Sequence, residues 1–150
     1  MTEARVLPEI EAILPHAGPM RLVSRVVSHT RERTICAVDV GDSELFRDAD
    51  GFVPAWVVLE WMAQTVAAHG ALLDGLAGAT LKPGLLVGAK QLELLRDRFA
   101  SSDSLEVSAR ILQRVGRLAS LACEARLDGE LVATSTLSVF VPDSLPEARP

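Results

Sequence analysis

The sequence predicts an α+β domain in which an antiparallel sheet wraps one long buried helix. Three observations lead there. Residues 54–69 are apolar on nearly every side, and a helix that is greasy all round is a buried one. Segments of strand-like alternation cluster before and after that run instead of alternating with further helices, which is the pattern of an antiparallel sheet. The length of 150 residues with 49% hydrophobic content suits a single domain with a substantial core.

In chain order, Pro8 opens a stretch with Ile10, Ile13 and Leu14 at helical spacing, so a short helix over about 7–14 is expected, ending at Pro15. The turn-rich Pro15-His16-Ala17-Gly18-Pro19 then sets His16 on a fixed loop. Met20 to Ser28 and Thr34 to Val40 read as a hairpin, with Cys36, Val38 and Val40 on one face of its second strand. Gly41 to Gly51 reads as a loop into the central helix, expected over about 54–70. Pro54 fits the first helical position there, and Gly70 or Gly75 offers a place to stop.

Beyond the helix, Leu81 to Gly84 is a connection and Leu85 to Leu95 a strand interrupted by Gly88, which marks a bulge or a close backbone approach. Alternation at Leu105, Val107, Ala109 and Ile111, and again at Leu121, Cys123, Ala125 and Leu127, gives two more strands. Asp128-Gly129 is a hairpin turn signal, and the last strand runs from Glu130 to about Val141. Three or four strands are therefore expected after the helix, with a disordered tail over about 143–150. One sheet covers a helix on only part of its circumference, so the apolarity of residues 54–69 on all sides implies a second subunit, most simply in a dimer.

Composition excludes several functions. A formal net charge of −5 argues against a nucleic-acid partner, because phosphate binding needs basic patches. Cys36 and Cys123 are too few for a disulfide framework and sit in apolar segments, so reduced core thiols in a cytoplasmic protein are expected. The first residues lack the basic start and apolar stretch of a signal peptide. No apolar run reaches the ~20 residues of a membrane span, so no membrane association is expected. Nothing suggests a metal site.

At about 100° per residue, Trp56, Glu60 and Gln64 share one stripe of the helix, and His69 lies about 180° from Glu60. Two roles stand open for Glu60. It is either a structural acid paired with an arginine or a backbone amide, or a site carboxylate beside a helix N-terminus whose amides hold an oxygen.

Two short motifs resemble the 3-hydroxyacyl-[acyl carrier protein] dehydratases of type II fatty acid synthesis, which have the hotdog fold. Leu14-Pro15-His16-Ala17-Gly18-Pro19-Met20, followed by Leu22 to Val26, is similar to the family's Leu-Pro-His-x-x-Pro segment and the strand after it. Glu60, Met62, Ala63 and Gln64 match its Glu-x-Met-Ala-Gln helix, and Leu86-Val87-Gly88-Ala89 resembles its Leu-x-Gly strand. Pro54-Ala55-Trp56 with Met62-Ala63-Gln64 looks most like the branch associated with aryl polyene pigments. One departure stands out. The family's catalytic histidine lies fourteen positions before the helix glutamate, and Phe46 occupies that position here.

The resemblance implies removal of water from a 3-hydroxyacyl thioester on the phosphopantetheine of acyl carrier protein, with no further cofactor. His29 beside a hairpin turn and His69 on the far helix face are poor substitutes for the missing base. His16 is the remaining candidate; its alternative is a turn residue bonded to a backbone carbonyl. Glu60 would protonate or orient the departing hydroxyl, and Gln64 would hold Glu60. Backbone amides of Ala55 and Trp56, with Gly88 across a tunnel, would face the thioester oxygen, and Phe46, Trp56 and Met62 would line the acyl channel. Lys90, Arg96 and Arg98 would meet the acidic carrier protein, unless they are simply a solvated strand edge. The family's two catalytic residues come from different subunits, which implies a homodimer or a heteromer with another hotdog subunit. The alternative functions are a hotdog acyl thioesterase, in which Glu60 activates water, and a non-catalytic subunit that binds acyl carrier protein or supports a partner dehydratase.

Overall fold

A computed structural model describes residues 6–73 and 85–140. Six antiparallel strands form one sheet in the order β1-β2-β6-β7-β8-β4, and β3 pairs with β5 in a small second sheet. The strands are β1 (Arg25–His29), β2 (Arg33–Asp39), β3 (Phe52–Pro54), β4 (Leu85–Leu94), β5 (Arg98–Ala100), β6 (Ser104–Val115), β7 (Leu118–Leu127) and β8 (Glu130–Phe140). The helix α1 (Val58–Leu73) lies across the sheet, chiefly on β6 and β2. The α+β architecture expected from the sequence is the one observed.

The apolar positions of the strands meet those of the helix in one core. Val58, Trp61, Met62, Val66 and Ala68 of α1 share it with Cys36 and Val38 of β2, Val107 and Ala109 of β6, and Leu121 and Cys123 of β7. Trp61 is its largest member; its indole Nε1 donates to Ser43 Oγ at 3.0 Å, so burial leaves no orphan N–H. Burial pushes both cysteine thiols up to about 12, which keeps them protonated and unreactive. The stripe Leu59, Ala63, Ala67 and Ala71 stays only partly buried in the single chain.

Several expected boundaries shift. The short N-terminal helix over 7–14 is one 3-10 turn, Ile10–Ala12, because a segment closed off by Pro15 is too short to nucleate an α-helix. Ile10, Ile13 and Leu14 are nonetheless buried. The loop after β2 contains two further 3-10 turns, Val40–Asp42 and Glu44–Phe46.

Pro54 is not the first helical residue. With φ −59° and ψ 142° it is extended, it pairs with Arg98 as the end of β3, and a 3-10 turn, Ala55–Val57, leads into α1. A proline ring suits either conformation, and the β3–β5 ladder decides. The helix passes through Gly70 and reaches Leu73; Gly75, the connection 81–84 and the tail lie outside the described residues. Among the described residues five strands follow the helix, because β5 at three residues is too short to show a period.

The hairpin at Asp128-Gly129 forms as read, with φ of 52° and 81° at its two residues, as a tight two-residue turn requires. β4 is irregular at Gly88, as its sequence suggests, and again between Lys90 and Glu93, where Gln91 has φ 54°. All ten residues of β4 are exposed, Leu85, Leu86, Val87, Leu92 and Leu94 among them.

The far end of α1 is tied to the first hairpin by histidines. Thr34 Oγ1 lies 2.7 Å from Nδ1 of His29 and 2.7 Å from Nδ1 of His69, a shared hydroxyl that donates to one ring and accepts from the other. Burial above all, with His29 nearby, pushes His69 down to about 4, while a backbone hydrogen bond at Arg31 acts the other way. The unfolded ring takes a proton below about 6.5 and the native ring does not until about 4, so the unfolded state binds more protons in that window. Stability is whole above the upper value and falls by roughly 3 kcal/mol as pH drops through the window. Urea midpoints for the wild type should therefore fall between pH about 7 and about 4.5, and a His69→Gln variant should show a flatter profile.

Candidate active site

His16 reaches the helix because its loop turns sharply at Gly18, whose φ of 59° favours glycine, and continues as a 3-10 turn, Gly18–Met20. Its Nε2 lies 3.8 Å from Glu60 Oε1 of the same chain, with the side chains 29% and 38% exposed. That separation is too long for a hydrogen bond, so neither group is committed to the other. Both remain able to face a third molecule between them. His16 Nδ1 has no hydrogen-bond partner among the described residues.

Gln64, one helical turn beyond Glu60, is wholly buried. Its Nε2 donates to Glu60 Oε1 at 3.1 Å and to the Met20 carbonyl at 2.7 Å; its Oε1 accepts from the amides of Leu22 at 2.9 Å and Val23 at 3.2 Å. The recorded partners of Glu60 are thus His16 and Gln64, and no arginine clamps it among the described residues.

Trp56 stands at the start of the helical segment, 57% exposed, and Phe46 meets it edge to face with ring centroids 5.8 Å apart. The turn that carries Phe46 also packs on the turn that follows His16, so the place of the family's usual histidine is an aromatic wall beside the His16 loop.

Three expected placements need correcting. The Ala55 amide donates to the Asp97 carbonyl at 3.0 Å, so it is not free to hold a substrate oxygen. Trp56, the next residue, still belongs to a first turn whose amides have no intrahelical acceptor. Met62 is fully buried in the continuous core of the single chain; of the three channel residues, Phe46 and Trp56 reach the surface. Gly88 lies on β4, at the opposite edge of the sheet from β1, where an added Cβ would meet nothing within 4 Å. Among the described residues α1, which carries Glu60, packs chiefly on β6 and β2 and not on β4.

His29 and His69 are paired with Thr34, away from the carboxylate. Arg98 lays its guanidinium 3.8 Å from the Phe52 ring centre, next to the strand that enters the helix, while Lys90 and Arg96 are exposed. No group of three or more histidine, cysteine or acidic residues with metal-binding geometry occurs among the described residues. No helix described is long and apolar enough to cross a membrane. The backbone contacts of Gln64 and the capture of the Ala55 amide by Asp97 left no trace in the sequence, because both depend on main-chain groups that any residue carries.

The model of the ApeP-like dehydratases matches residues 8–149. The chain belongs to the ApeP-like dehydratase family. Curated relatives of this dehydratase include the 3-hydroxyacyl-[acyl-carrier-protein] dehydratase FabZ of Latilactobacillus sakei, 32% identical over 138 residues covering 89% of this chain and 96% of that protein. The same enzyme of Streptococcus pyogenes serotype M3 is 28% identical over 134 residues, 87% of this chain and 94% of that one. Among solved structures, the dehydratase heterocomplex ApeI:P from Xenorhabdus doucetiae aligns with a TM-score of 0.84 at 24% identity over 93% of this chain and 94% of that chain. A hypothetical thioesterase with coenzyme A from Streptococcus pneumoniae aligns at 0.60 with 13% identity, over 79% and 84%. At these identities the structural likeness establishes the hotdog fold, and the family match makes the protein a dehydratase-type lyase of fatty acid or polyene biosynthesis.

Proposed function

We propose that this dehydratase uses His16 as base and Glu60 as acid to remove water from a 3-hydroxyacyl thioester carried on the phosphopantetheine arm of acyl carrier protein. The observation that carries the reading is the 3.8 Å approach of His16 Nε2 to Glu60 Oε1 without a hydrogen bond between them. His16 takes the proton from C2, the electron pair forms the C2–C3 double bond, and the C3–O bond breaks. Glu60 gives its proton to the departing oxygen, which leaves as water, and the product is the trans-2-enoyl thioester. The proton on His16 then returns to Glu60 across the short gap that the loop maintains. The first-turn amide of Trp56 would stabilise the enolate-like oxygen, where a preorganised donor is worth about 3–4 kcal/mol. Phe46 and Trp56 would flank the acyl chain.

A second subunit completes this reading. The partly bare stripe of α1 and the exposed apolar strand β4 favour a hotdog partner, and Gly88 would meet the site only across such an interface. The Xenorhabdus protein was solved as a heterocomplex, and Phe46 at the usual histidine position favours a sister subunit over a second copy. Arg98, with Lys90 and Arg96, would meet the acidic carrier protein.

The test is a product assay with a 3-hydroxyacyl carrier protein, with the chain alone and mixed with a partner dehydratase. The expected result is an enoyl thioester with no release of free carrier thiol. Free thiol in place of enoyl product would move the function to a thioesterase, and no product in either mixture would leave a non-catalytic subunit.

A further inference from the structure

Phe46, the aromatic wall beside the His16 loop, belongs to a stretch with few holds on the core. Between Val40 and Val53, Ser43 is the one fully buried residue. It joins the two 3-10 turns there: its amide donates to the Val40 carbonyl at 3.0 Å, and its carbonyl accepts from the Phe46 amide at 3.0 Å. Its hydroxyl accepts in turn from Trp61 Nε1 of α1 at 3.0 Å. The indole is the fixed partner of that bond, with no exposed surface and its ring packed on Phe99 at a centroid distance of 5.5 Å. No water competes in such a place, so breaking the bond strands an indole N–H inside the core. Trp61 also follows Glu60 directly, about 100° round the helix. One turn of α1 thus carries both the acid of the site and the tether of the loop that holds Phe46.

We propose that Trp61 is a positioning residue for substrate selection: through Ser43 it fixes how far the Phe46 ring stands from Trp56 and Glu60, and so the width of acyl chain that the site admits. The edge-to-face contact of Phe46 with Trp56 at 5.8 Å is then the set position of a wall that would otherwise shift with its loop. This rests on the dehydration reading given above, in which Phe46 and Trp56 flank the acyl chain.

The test compares kcat/KM for two 3-hydroxyacyl carrier proteins of equal chain length, one straight and saturated and one ending in a phenyl ring, with the full chain in whichever assembly is active. The wild type should favour one of them by at least about tenfold. Trp61→Phe keeps a ring against Phe99 and removes the N–H, and Ser43→Ala removes the acceptor. Each should cut that ratio at least about threefold, chiefly through KM. The two combined should cut it no more than about 1.5-fold further, because they break the same bond. Ser43→Ala takes away only a hydroxyl and decides the matter if Trp61→Phe does not fold. A ratio unchanged in a folded variant, even one with a lowered melting temperature, makes the bond structural alone and overturns the proposal. So does a wild type that treats the two chains alike, or single effects that multiply fully in the double variant. In each of these cases enoyl product still forms and the dehydratase reading stands, whereas a wild type that forms none removes both.

Discussion

Glu60→Gln should slow enoyl formation by roughly 10²–10⁴-fold, about 3–5 kcal/mol of barrier. The substitution keeps the shape of the side chain and leaves an amide oxygen that can accept from Gln64 Nε2, so the contact at 3.1 Å has a counterpart. What it removes is the exchangeable proton. Because Glu60 is partly exposed and bonded on one oxygen, the melting temperature should change little, which separates loss of chemistry from loss of fold. Single-turnover measurement of the enoyl thioester is the readout. A rate within about twofold of the wild type would remove Glu60 from the proton path.

His16→Ala carries the second large effect, again roughly 10²–10⁴-fold in kcat. His16 sits on a surface turn held by Gly18 and Met20, and its Nδ1 makes no hydrogen bond among the described residues that truncation would break. The loss should therefore appear in turnover, with binding of the carrier protein retained. The outcome also separates the two assemblies. If a partner's loop supplies the working base at the site, the alanine variant mixed with that partner keeps its rate, and His16 becomes a turn residue. If the rate collapses in every mixture, the imidazole of this chain is the base, and Phe46 is a wall and not a vacancy.

The parts of the fold that were legible in the sequence are those set by side-chain period and turn chemistry. Trp61, Met62 and Val66 announced a buried helix, and Asp128-Gly129 announced its hairpin, because each rests on a local preference strong enough to survive in the tertiary structure. Pro54 misled because its φ satisfies both an extended residue and a first helical turn, and the choice lay with Arg98, more than forty residues away in sequence. The same applies to the site. The stripe of Trp56, Glu60 and Gln64 could be read from helical geometry, and His16 from the turn around it. The capture of the Ala55 amide by Asp97 and the seating of Gln64 on Met20, Leu22 and Val23 are main-chain events, invisible until the chain is folded.

β4 has a practical consequence for anyone who isolates this chain. Among the described residues no strand pairs with its outer edge, which is flanked by leucine and valine with two kinks as the main relief from flatness, and such a border recruits whatever strand it meets first. Produced without the second subunit proposed above, the polypeptide should be prone to precipitate, and its melting point should climb with concentration as copies shield one another. Co-expression is then the natural route to material whose heat tolerance reflects the working assembly.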